Sequence, residues 1–104
     1  MKTIISSTGN DSASQFDLRF GRAPWFCLLD ETSGKTSYHK NEYQEAPHGA
    51  GTRAAEKAIE LGASRVISGD FGPKAKELLE KFNIQMVIIS DDTYTINDIV
   101  QKIK

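Results

Sequence analysis

The 104-residue sequence has one cysteine, Cys27, so it can form neither an internal disulfide nor a Cys-x-x-Cys metal site. No apolar run approaches the roughly 20 residues that a spanning helix needs. The opening stretch, MKTIISSTGND, turns polar too soon for a secretory signal, and a cytoplasmic location is expected. A net charge of −1 supplies no basic footprint for nucleic acid. No repeat, low-complexity tract or long linker divides the chain, so one domain over 1–104 is expected. Catalytic signatures are also missing. There is no P-loop, no GxGxxG and no Ser–His–Asp spacing, and Ser68-Gly69-Asp70-Phe71-Gly72-Pro73 lacks the Lys and Ser/Thr of a Walker motif.

The chain does contain periodicity. Ala75, Leu78, Leu79 and Phe82 share one helical face over 73–82, with Pro73 suited to the first turn. Ile96, Ile99, Val100 and Ile103 repeat that spacing, with Thr95 and Asp98 approximating a capping box. A third helix over 51–61 has a small apolar face of Ala55, Ala58 and Ile59 and ends at Gly62. The β-branched runs 65–68 and 85–89 suit parallel strands covered on both faces. Strands are also expected at 2–7 and 25–30, and after a turn at Thr32-Ser33-Gly34 a polar edge strand at 36–40. The sum is an α/β fold: a mixed sheet of five strands with three helices. Two long irregular segments, 8–24 and 41–50, remain, and loops of that length often carry function.

If the strands at 2–7 and 65–68 run parallel, three segments converge beyond their carboxyl ends. These are the loop with Arg19, Gly21 and Arg22, the run His48-Gly49-Ala50-Gly51, and the run Gly69-Asp70-Phe71-Gly72. Two helix N-termini would offer unpaired N–H groups there, the glycines close backbone approach, and the arginines forked donors. That chemistry favours an anionic ligand, with Asp70 opposing it unless paired. Plainer readings stand beside it. The glycines also serve turns and helix entries, and Arg19 and Arg22 can be solvated or pair with Asp17 and Asp70. Phe16, Phe20, Trp25 and Phe26 read as core or loop-packing residues, Cys27 as a buried small hydrophobe, and His39 as exposed. His48, before the Gly-rich helix start, is the candidate metal ligand.

The order and spacing of Phe20-Gly21-Arg22-Ala23, Gly49-Ala50-Gly51 and Gly69-x-x-Gly72-Pro73 resemble the dinitrogenase iron–molybdenum cofactor biosynthesis family, across nearly the whole chain. The resemblance implies a ribonuclease-H-like fold. It also implies binding or carriage of an iron–molybdenum or iron–sulfur type cluster, with a cluster donor or acceptor protein as partner. Many members carry a histidine directly before Phe-Gly-Arg, where this chain has Arg19, and a guanidinium does not ordinarily ligate a metal. Holding a cluster here would fall to charge, backbone N–H groups and His48.

Three functions follow as alternatives. The first is a non-catalytic carrier of a metal–sulfur cluster or related anion, monomeric or weakly dimeric, binding neither nucleic acid nor membrane. The second is an interaction or regulatory module using the 36–40 edge and the 41–48 loop. The third is a two-metal phosphoesterase or nuclease, disfavoured because Thr3-Ile4-Ile5-Ser6-Ser7 carries no acid.

Overall fold

A computed structural model describes residues 1–103. Its elements run β1 (Lys2–Ser7), β2 (Trp25–Asp30), β3 (Lys35–Lys40), α1 (Ala50–Glu60), β4 (Arg65–Ser68), α2 (Pro73–Lys81), β5 (Gln85–Ile88) and α3 (Ile96–Ile103). The five strands form one sheet in the order β3-β2-β1-β4-β5. The β1–β2 and β2–β3 pairs are antiparallel, while β1–β4 and β4–β5 are parallel, so the expected mixed α/β sheet is present.

Burial explains the order. Strand β1 is buried from Thr3 to Ser7 and takes the centre, whereas β3 (KTSYHK) exposes most of its length at an edge. The hydroxyls that β1 carries inward are satisfied: Ser6 Oγ lies 2.6 Å from the Asp17 carbonyl and 2.7 Å from Ser68 Oγ. Each sheet face has its own core. On one side Ile4, Phe20, Phe26 and Val66 meet the alanine stripe of α1 (Ala54, Ala55, Ala58) and Leu79 of α2. On the other, Ile5, Phe16, Cys27 and Ile67 meet Ile96, Ile99 and Val100 of α3.

The local stop and start signals act as their chemistry dictates. Pro73 opens α2, where its missing N–H costs no bond. The Thr95 N–H donates to Asp98 Oδ2 at 2.9 Å, and the Asp98 N–H to Thr95 Oγ1 at 3.2 Å, closing the capping box of α3. Gly62, at φ 77°, ends α1, and Asn83, at φ 57°, takes the same role after α2. Boundaries differ slightly from expectation. Strand β3 begins at Lys35, β5 stops at Ile88, and α1 begins at Ala50 because Gly49 (φ 74°) turns the chain into it. His39 corrects another expectation: it is half-buried, and burial together with Lys57 holds it below the usual histidine range.

Candidate functional site

Strands β1 and β4 are parallel, so their carboxyl ends share one sheet edge, and the loop after β1 meets the starts of α1 and α2 there. A crevice of about 420 Å³ opens at this meeting, lined among others by Gly21, Arg22, His48, Gly49, Gly72 and Lys74. Close packing builds it. Gly21 passes so near the start of α1 that an added Cβ would lie 2.8 Å from Gly51 N, and a Cβ on Gly51 would sit 3.5 Å from Ala75 Cβ of α2. Phe20 anchors the loop beneath, fully buried, with its ring 5.8 Å from that of Phe26 and 5.1 Å from that of Phe71.

The electrostatics follow from the helix starts. Neither α1 nor α2 has a side-chain N-cap. The first helical bonds are Arg53 N–H to the Gly49 carbonyl and Lys76 N–H to the Gly72 carbonyl, both 2.9 Å. The N–H groups of Ala50, Gly51, Thr52, Lys74 and Ala75 therefore have no partner among the described residues. Two partial positive charges point into one hollow. Arg22 and Lys74 add to them, and no aspartate or glutamate lines the crevice. Arg22 donates through Nη1 to the carbonyls of Gln44 (2.9 Å) and Ala46 (2.7 Å), leaving its charge without a carboxylate partner.

Six of the expected site residues meet here: Gly21, Arg22, His48, Gly49, Gly51 and Gly72. Arg19 and Gly69 do not line the crevice. Arg19 turns to Asp17, with Nε–Oδ1 at 3.1 Å and Nη2–Oδ2 at 2.9 Å, in a separate hollow with Thr8, Gln15 and Asp92. The carboxylate of Asp17 holds the Arg19 proton more firmly than usual. Gly69 supports the loop: an added Cβ would lie 2.6 Å from the Leu18 carbonyl oxygen, so no side chain fits. Asp70 is exposed and absent from the crevice lining, bridging Arg19 only through backbone. Gly72 has extended backbone (φ −64°) and open space around its Cα, so it enters the site by position alone.

Two contributors escape the sequence reading. Lys74 had a visible signal, a cation in the first turn of the helix that Pro73 opens. Asn41 had none, being one polar residue in a polar loop, yet it is buried at 3% exposure.

The donor set fits an anion held without covalent bonds to cysteine. Cys27 is fully buried on the α3 side, and burial pushes its thiol up to about 11, so a thiolate ligand is not on offer. Among the described residues no three His, Cys, Asp or Glu side chains gather as a metal-ion site. His48 is the single imidazole at the crevice.

The family model described as "dinitrogenase iron-molybdenum cofactor" matches residues 1–104. No curated protein sequence gives a significant match. Among solved structures, the apo form of the orange protein from Desulfovibrio gigas superposes with a TM-score of 0.91 at 29% identity, covering 98% of this chain and 85% of that one. A Thermotoga protein of the DUF35 family superposes with a TM-score of 0.83 at 24% identity, covering 98% of this chain and 85% of that one. The chain belongs to the dinitrogenase iron–molybdenum cofactor family.

Proposed function

We propose that this chain is a non-catalytic carrier that holds an anionic metal–sulfur cluster, of iron–molybdenum or iron–sulfur type, in the crevice between the starts of α1 and α2. The observation that carries this reading is the pairing of two uncapped helix N-termini with Arg22, His48 and Lys74 in a hollow free of carboxylates. Clusters with sulfide ligands are negatively charged, so unpaired N–H groups and a guanidinium suit them as cargo. Arg22, Gly21, Gly49, Gly51 and Gly72 would line the cargo, and His48 supplies the one side chain there able to bond a metal directly. Family membership supports the assignment, since the family is described by the iron–molybdenum cofactor, and a structural neighbour was solved as an apo form.

In this reading one domain receives the cluster from a donor protein, releases it to an acceptor in the cytoplasm, and performs no reaction on it. The strand order β3-β2-β1-β4-β5, with β2 alone antiparallel to the other four strands, supports placing the fold among ribonuclease-H-like folds. The test is anaerobic titration of the purified protein with tetrathiomolybdate, followed by visible absorption and metal analysis. One equivalent is expected to bind, and Arg22→Ala is expected to weaken binding by about tenfold, the loss of one charge-assisted contact. A protein that takes up neither tetrathiomolybdate nor a reconstituted iron–sulfur cluster would sink the reading.

A further inference from the structure

The loop 42–48, which brings His48 to the crevice, has little hydrophobic attachment. Glu42, Tyr43, Glu45, Pro47 and His48 are all exposed. The Arg53 guanidinium of α1 lies 5.2 Å over the Tyr43 ring, and a crossed pair of polar contacts ties the loop to residues 21–23. Asn41, at the loop's base, donates through Nδ2 to the carbonyls of Gly21 (3.0 Å) and Ala23 (2.8 Å), the two residues flanking Arg22. Arg22 in turn donates through Nη1 to the carbonyls of Gln44 and Ala46 within the loop. Each residue thus fixes the backbone around the other. Asn41 completes its own inventory by accepting from the Tyr43 N–H at 3.1 Å and donating its backbone N–H to the Pro24 carbonyl at 2.9 Å.

The guanidinium has more donors than the loop uses. Nε and Nη2 of Arg22 have no acceptor among the described residues, and Arg22 lines the crevice. We infer that Asn41, which lies outside the crevice, is a positioning residue for it, and that anion binding and ordering of loop 42–48 are coupled through the Arg22 guanidinium. The coupling rests on the carrier reading above; the clasp itself does not. Physically, an anion that accepts from Nε or Nη2 restrains the same planar group whose Nη1 holds the loop. By linkage, a loop already held lowers the ordering cost of binding, and a loop set free raises it. Lysine cannot replace arginine here, because an ammonium lacks the rigid fork that holds two carbonyls and an anion at once.

The experiment combines anaerobic tetrathiomolybdate titration with amide hydrogen exchange at residues 42–48, for the wild type, Asn41→Ala and Arg22→Lys. Without the probe, both variants are expected to exchange faster at 42–48 than the wild type. With it, the wild-type loop should become protected, while each variant binds about tenfold more weakly and loses that protection. Arg22 is exposed, so Arg22→Lys keeps the test valid if Asn41→Ala fails to fold. Variants that match wild-type exchange without probe would overturn the clasp. Wild-type binding with no change in loop exchange, or variants binding within about twofold of wild type, would overturn the coupling. A wild type that binds no tetrathiomolybdate overturns the coupling through this probe, and the probe-free exchange still judges the clasp.

Discussion

Residues 16–23 cross the sheet's edge and serve two hollows of opposite character. On the α3 side, Phe16 and Leu18 pack down and Arg19 closes on Asp17, with Asp92 nearby. On the α1/α2 side, Phe20 and Ala23 pack down and Arg22 meets only carbonyls, with two helix starts beside it. The two arginines stand three residues apart in one loop, yet one pairs with a carboxylate and the other has no carboxylate partner among the described residues. What separates them is which neighbours the fold supplies. A buried carboxylate, 4% exposed, receives Arg19, while no carboxylate lines the hollow that receives Arg22.

The comparison can be broken first at its anchor. Phe20→Ala removes a fully buried ring on the Arg22 side and should cost about 3–5 kcal/mol in a urea melt. Next is the contact that seats the loop: Gly69→Ala forces a Cβ against Leu18 backbone and should cost about 1–3 kcal/mol. The comparison variant, Gly72→Ala, meets open space and loses only the N-cap preference for glycine, so it should cost no more than about 1 kcal/mol.

A pH series probes the buried α3-side core. The Cys27 thiol rises from 9.0 to about 11 on burial, so the folded state keeps its proton longer than the unfolded chain. That contribution is complete below pH 9 and is lost as pH climbs towards 11. The Cys27 share of the slope is at most about 1.4 kcal/mol per pH unit, and Cys27→Ala should remove that share while leaving the share of Tyr38, whose phenol burial pushes up to about 12. The smallest effect sharpens the contrast most. Arg19→Ala should leave tetrathiomolybdate affinity within about twofold, whereas Arg22→Ala weakens it about tenfold. Equal losses from both arginines would show that the two hollows act as one site.

Much of this molecule is written in short-range chemistry. Pro73 at a helix start, Gly62 at a helix end, the Thr95–Asp98 box and the apolar runs of β4 and β5 each act through neighbours a few residues away. For that reason the order of elements and the mixed sheet were legible from residue order, and the convergence of Gly21, Arg22, His48 and Gly72 followed from parallel β1 and β4. The division of labour between Arg19 and Arg22 was not legible, and neither was the part played by Asn41. Both depend on long-range approach: the turn of residues 16–23 over the sheet edge decides which acceptor each guanidinium finds. Asn41 meets Gly21 and Ala23 only because β2 and β3 pair and return the chain to that edge. Hydrogen bonds between segments about 20 residues apart leave no periodic trace in a sequence, and packing alone determines them.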